Sequence, residues 1–91
     1  MAVLYRLAYA EKALAFLESL QIKYRKQIIG KIQALAKAPF PPGHRLIRGG
    51  SAGAERVYRI RSGHYRVLYV VRTDIPQVVV LDIDHRKDVY R

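Results

Sequence analysis

At 91 residues, 51% of them hydrophobic, the chain is sized for a single domain spanning residues 1–91 with one modest core, and is too apolar for a disordered segment. It has no cysteine, which removes disulfides and thiolate metal sites and fits a reducing cytoplasm; no apolar run nears the ~20 residues of a bilayer span, and no signal-peptide pattern is expected at its start. With 17 Lys+Arg against 7 Asp+Glu, a net charge of +10 and a pI near 10.3, it carries a field that favours phosphate backbones, acidic membranes or an acidic protein partner.

In chain order, Val3 to Leu7 reads as a short first strand, and Ala8 to Leu20 as a helix in which Leu14 with Leu17, and Phe16 with Leu20, recur at helical spacing. Ser19 to Ile22 is a break. A second helix follows from Tyr24 to Lys37, with Tyr24, Ile28, Ile32 and Leu35 on one stripe and Lys23, Arg25, Lys26, Lys31 and Lys37 around it. The prolines of Pro39–Gly43 end it. His44 to Glu55 reads as irregular, with Leu46 and Ile47 tucked under the core. Its Gly49, Gly50 and Gly53 lack Walker spacing, which excludes a nucleotide-phosphate loop. Arg56 to Arg72 alternates and is rich in Val, Ile and Tyr around Ser62-Gly63, the pattern of a β-hairpin. After a turn at Thr73–Pro76, Gln77 to Ile83 is the most buried-looking strand. The order β-α-α-β-β-β predicts an α+β fold, a two-helix hairpin packed on one face of a small, mostly antiparallel sheet.

If Ser62-Gly63 is a two-residue turn, Arg59 lies opposite Arg66 and Arg61 opposite His64. Alternation then sends those four side chains to the sheet face away from Tyr58, Ile60, Tyr65, Val67 and Tyr69. Like charges placed opposite one another destabilise a sheet. Such a face either awaits a polyanion or splays its long side chains into solvent.

His44, His64 and His85 have no metal-ligand spacing, and no nucleophilic triad or carboxylate pair is legible, so neither a metal nor another cofactor is expected. What remains is a cationic face joined by His85, Arg86 and Tyr90 from the end of the last strand. That set suits RNA cleavage by the substrate's own 2′-hydroxyl, which needs a proton acceptor, a clamp for phosphorane charge and a donor for the leaving 5′-oxygen. Arginine forks fit the clamp. A tyrosine among cations, or an imidazole, fits the proton transfers.

The blocks Val57–Tyr69 and His85–Arg91, with the order of elements between them, resemble the RelE/ParE superfamily, toxins of bacterial type II toxin–antitoxin systems, over essentially the whole chain. The resemblance implies two activities for its branches: RelE-like members cleave mRNA in the ribosomal A site, and ParE-like members inhibit DNA gyrase without nuclease chemistry. It places active-site cations on Arg59, Arg61, Arg66 and Arg86 and a catalytic tyrosine on Tyr90. The segment between Arg86 and Tyr90 is short for the RelE branch, which makes His85 the substitute acid or base. The resemblance further implies the ribosome, mRNA and a cognate antitoxin as partners, with gyrase the alternative. Operator DNA would be contacted only through the antitoxin complex.

Overall fold

A computed structural model describes residues 3–49 and 55–85. Its elements are β1 (Arg6–Tyr9), α1 (Glu11–Ser19), α2 (Ile22–Leu35), β2 (Arg45–Arg48), β3 (Val57–Ser62), β4 (Tyr65–Arg72) and β5 (Gln77–His85). The strands form one sheet in the order β1-β5-β4-β3-β2. The β1–β5 pair is parallel and the other three pairs are antiparallel. Both helices lie on one face, as the sequence pattern predicts.

Ala13 and Leu17 of α1 and Ile28, Ile32 and Leu35 of α2 pack on Ile60, Val67, Tyr69, Val78, Val80 and Ile83. Each fully buried aliphatic side chain contributes about 1.5–3 kcal/mol of transfer free energy. Arg25 locks the helix hairpin by donating from Nε to the Leu17 carbonyl at 3.0 Å and from Nη2 to that of Leu20 at 2.9 Å. The Leu20 carbonyl lies at the C-terminal cap of α1, and the Leu17 carbonyl also accepts the Leu20 N–H at 3.2 Å. The Tyr69 hydroxyl, in the core, donates to the Pro39 carbonyl at 2.8 Å and so ties the proline loop to β4. Burial pushes the Tyr69 phenol pKa up to about 12, and that of Tyr9 upward too.

Several boundaries depart from expectation for reasons of packing. Ala8 and Tyr9 belong to β1 rather than to the first helix, because they pair with Val79 and Val80. Ala13, not Leu14, takes the inward position of α1, and Leu14 is exposed. Tyr24, set on the inner stripe of α2 by spacing, is 38% exposed. Part of the supposedly irregular segment after His44 is β2, an edge strand on β3. Leu46 and Ile47, expected under the core, are 51% and 42% exposed on it. An outermost strand has no further layer to bury them.

Candidate nucleic-acid interface

The hairpin is displaced by one residue from its expected turn. Ser62 pairs with Tyr65 and the loop is Gly63-His64. Gly63 has φ +59°, whereas no described non-glycine residue has a positive φ. A positive φ followed by a negative one is the type II′ pattern, which wants glycine in the first loop position rather than the second. The expected pairs are therefore corrected. Arg61 faces Arg66 directly, and Arg59 faces Leu68. The parity is unchanged, so Arg59, Arg61 and Arg66 still leave the sheet on the side away from the helices.

Two rungs cross this open face. One runs Arg61, Arg66, Asp84, and the other Arg45, Arg59, Leu68, Asp82. Each places two arginines side by side. Arg66 is held by Asp84 in a fork, Nε to Oδ1 and Nη2 to Oδ2, both 3.0 Å. The side chains are 19% and 29% exposed, so the pair is partly screened, and its geometry fixes the guanidinium plane. Asp82 is reached by Lys12 at 3.4 Å, a mostly solvated contact worth little.

β2 pairs with Val57–Arg59 alone, which leaves Ile60–Ser62 as an outer edge of β3. Beside that edge opens a cleft of about 390 Å³ whose cations are Lys31, Arg45, Arg59 and Arg61, with Pro41, Pro42 and Gly43 as one wall. The wall is braced from behind. Phe40 packs edge-on against Tyr58 at 5.1 Å, and the His44 ring lies 5.8 Å from Tyr58 with Nδ1 2.7 Å from the Pro41 carbonyl. Arg59 is half-buried with its Nε covered. Arg61 is exposed. A cleft of this charge takes an anionic group with several acceptor oxygens.

His85 does not join the arginines. It pairs with Tyr65, and its ring packs edge-on against that of Tyr65 at 5.1 Å and stacks on His64 at 6.0 Å. Tyr65 in turn meets Phe16 and Tyr24 of the helices. The reason is a bulge in β5. Val80 pairs with Tyr69 and Asp82 with Leu68, so Leu81 is an extra residue. Val78 and Val80 face the helices, and simple alternation would continue inward with Asp82 and Asp84, sending His85 outward. The bulge shifts the phase, so Ile83 and His85 point inward and the aspartates outward. Among the described residues, imidazoles and phenols keep to the helix side.

Arg86 and Tyr90 lie outside the described residues. Sequence reasoning missed Arg45, Lys31 and Asp84 as neighbours of the site. Arg45 was hidden by the unrecognised edge strand, and Lys31 looked like one more solvated lysine. Asp84 was legible only through the bulge. No group of three or more His, Asp or Glu able to hold a metal occurs among the described residues, and no described helix is long and apolar enough to cross a membrane.

The family model of the ParE toxin of type II toxin–antitoxin systems matches residues 7–90. Among solved structures, the chain is similar to a chain of the archaeal RelE–RelB complex of Pyrococcus horikoshii OT3, at 25% identity and TM-score 0.78 over 90% of this chain and 94% of that one. It is similar to a chain of the RelBE2 toxin–antitoxin complex of Mycobacterium tuberculosis, at 26% identity and TM-score 0.75 over 92% and 100%. The isolated E. coli RelE toxin matches at 27% identity and TM-score 0.72 over 94% and 90%. No curated protein sequence matches.

Proposed function

The chain belongs to the ParE toxin family, within the RelE/ParE superfamily of type II toxin–antitoxin toxins, and from that premise we propose that it is a metal-independent endoribonuclease acting on mRNA at the ribosome. The observation that carries the proposal is the doubled arginine rung, Arg45 beside Arg59 and Arg61 beside Arg66, with Arg45, Arg59 and Arg61 lining a cleft of about 390 Å³. A sheet that sets like charges side by side gives up stability unless an anion lies between them. In the reaction, the 2′-hydroxyl gives up its proton as its oxygen attacks the adjacent phosphorus, and the 5′-oxygen leaves and takes up a proton from water, giving a 2′,3′-cyclic phosphate and a 5′-hydroxyl. Arg59, Arg61 and Arg66 hold the non-bridging oxygens and take up charge as the phosphorane forms. Asp84 keeps the Arg66 fork in plane. Guanidinium does not deprotonate, so these groups move no proton. The roles of base at the 2′-hydroxyl and of a further cation go to Tyr90 and Arg86, and His85 is withdrawn from the set because it faces the helices.

The similar chains solved in toxin–antitoxin complexes, from Pyrococcus horikoshii and Mycobacterium tuberculosis, support a cognate antitoxin as partner here also. A disordered acidic segment suits a surface of this charge. Covering the arginine cleft would inhibit by competition with RNA.

Gyrase inhibition is the second reading. It is favoured by the ParE family model and by the absence of an imidazole or phenol from the arginine face among the described residues. Primer extension on a defined mRNA in a purified translation system separates the two. A-site cuts with 5′-hydroxyl products, lost in Arg61→Ala and Arg66→Ala, are expected. Intact message together with inhibited DNA supercoiling by gyrase would replace the nuclease with the second reading.

A further inference from the structure

On the helix side of the hairpin end lies a second cavity, of about 200 Å³, lined by Tyr24, Gln27, Ser62, His64, Tyr65 and His85. It is unlike the rest of the core. Four of its walls are rings, two of them imidazoles 6.0 Å apart between centroids and only 20° from parallel. Tyr65 stands nearly perpendicular to His85, at 82°. Gln27 and the buried Ser62 add polar groups to the lining. Rings that serve only as core are packed to exclude space. These rings surround space, and Tyr24 and His64 are exposed at its mouth.

The position matters as much as the lining. Arg61 precedes Ser62, and Arg66 follows Tyr65. The cross-strand pair Arg61–Arg66 and the pair Ser62–Tyr65 are thus adjacent rungs whose side chains leave opposite faces of the sheet. A chain with its phosphate on the arginines and its flat ring in the cavity would pass round the free end of the hairpin. Planar heteroaromatic rings attached to a phosphate backbone are what single-stranded RNA provides. Stacking on aromatic side chains is the usual way such bases are held.

We propose that the cavity formed by Tyr24, His64, Tyr65 and His85 is a nucleobase pocket, which takes the base of a nucleotide whose phosphate lies on Arg61 and Arg66. The inference rests on the RNA reading above and extends it by naming where a base is held. A ring inserted between the two imidazoles needs roughly 7 Å between the flanking planes, twice a stacked carbon contact. The ring centroids stand 6.0 Å apart, and the exposed Gly63-His64 turn supplies the opening by moving His64 outward. Stacking tolerates any base, whereas Gln27 and Ser62 can hydrogen-bond a base edge, so a moderate base preference is expected with the stack as the main source of affinity.

The test is side-chain NMR on the full-length protein, following the ring resonances of His64, His85, Tyr24 and Tyr65 and the Nε–H signals of Arg61 and Arg66. Adenosine 5′-monophosphate, adenosine and ribose 5-phosphate are the probes. The expected result is that the monophosphate moves both sets, adenosine moves the rings, and ribose 5-phosphate moves the arginines alone. His64→Ala, in an exposed turn, should weaken the monophosphate roughly tenfold and leave ribose 5-phosphate unchanged, while His64→Phe restores the stack. Arginines that respond while the rings stay still under every probe overturn the pocket and leave the phosphate reading standing. Rings that respond to adenosine while the arginines ignore both phosphates keep the pocket and remove the phosphate reading. Undiminished monophosphate binding by His64→Ala also sinks the pocket.

Discussion

Arg61 and Arg66 sit opposite each other, yet truncating them should have opposite effects on stability. Arg66 is tied to Asp84 by two 3.0 Å hydrogen bonds, at 19% and 29% exposure. Exposed ion pairs are worth about 0.2–1 kcal/mol, whereas removing one partner of a fully buried pair costs about 3–5 kcal/mol. The Arg66–Asp84 pair is bidentate and mostly but not wholly covered, so Arg66→Ala should cost roughly 1–2 kcal/mol by leaving the carboxylate half-buried without its fork. For a domain of this size that is a fall in melting temperature of roughly 5–15 °C. Arg61 is exposed and faces a like charge. Its removal relieves a repulsion within the range of about 0.2–1 kcal/mol for cross-strand pairs and loses some cover from its stem. Arg61→Ala should therefore be neutral to stabilising by about 0.5 kcal/mol.

The assay is urea unfolding followed by far-UV circular dichroism for Arg61→Ala, Arg66→Ala, Asp84→Ala and the Arg66→Ala/Asp84→Ala double variant. The double variant should regain about 1 kcal/mol relative to the sum of its singles, since neither charge is left stranded. It should not regain RNA cleavage. A coupling energy within error of zero would refute the view that Asp84 holds Arg66. Destabilisation by Arg61→Ala beyond about 1 kcal/mol would refute the view that the arginine rung is kept at the expense of stability.

If the cleft cations meet phosphate, affinity for single-stranded RNA should fall linearly with log salt at roughly −0.7 per phosphate contacted, and Arg45→Ala should flatten that slope in filter binding. An unchanged slope would remove Arg45 from the interface. Tyr69 binds its proton more tightly folded (about 12) than unfolded (10.0), so stability is intact below pH 10 and should fall by about 2–3 kcal/mol as pH rises to 12. Tyr69→Phe should lower stability at pH 7, through loss of the bond to the Pro39 carbonyl, and should flatten that alkaline decline in unfolding curves. A Cβ on Gly49 would overlap the Glu55 carbonyl in a backbone already at φ +92°, so Gly49→Ala should cost roughly 3 kcal/mol or more by chemical denaturation. A neutral Gly49→Ala would show that the backbones need not approach so closely.

The sequence pattern revealed the elements more reliably than it revealed their partners. Apolar spacing located both helices to within a few residues, because Ile28, Ile32 and Leu35 must share a buried stripe whatever lies beneath. The sharing of one face by Arg59, Arg61 and Arg66 was legible too, since strand alternation survives a shifted turn. The facing pairs were not. They depend on which residue of Ser62-Gly63-His64 opens the loop, and only the requirement for glycine at the positive φ decides it. β2 was hidden for a different reason. Its four residues, all exposed, carry no periodicity of burial, and the strand exists through its ladder to β3.

The face that His85 takes has the most local of causes, one extra residue in β5, and that residue gives the last prediction. Without a bulge, residues Val78 to His85 would put Asp82 and Asp84 among Tyr69, Val67 and the helices. Deleting Leu81 restores plain alternation with the present faces: Val80 in, Asp82 out, Ile83 in, Asp84 out, His85 in. The deletion should therefore keep the Arg66–Asp84 fork and the Tyr65–His85 contact. It should cost no more than about 1–2 kcal/mol, for a half-buried leucine and the lost twist. Deleting Ile83 instead removes a core side chain and, with the bulge retained, brings Asp84 to the inward position. An unpaired carboxylate there costs several kcal/mol on top of the lost burial, comparable with the whole stability of a small domain. Equilibrium unfolding of the two variants, with the Arg66–Asp84 coupling remeasured in the first, decides the matter. If loss of Leu81 unfolds the protein as thoroughly as loss of Ile83, the bulge is holding more than the phase of β5, and the assignment of Asp84 and His85 to opposite faces would need another cause.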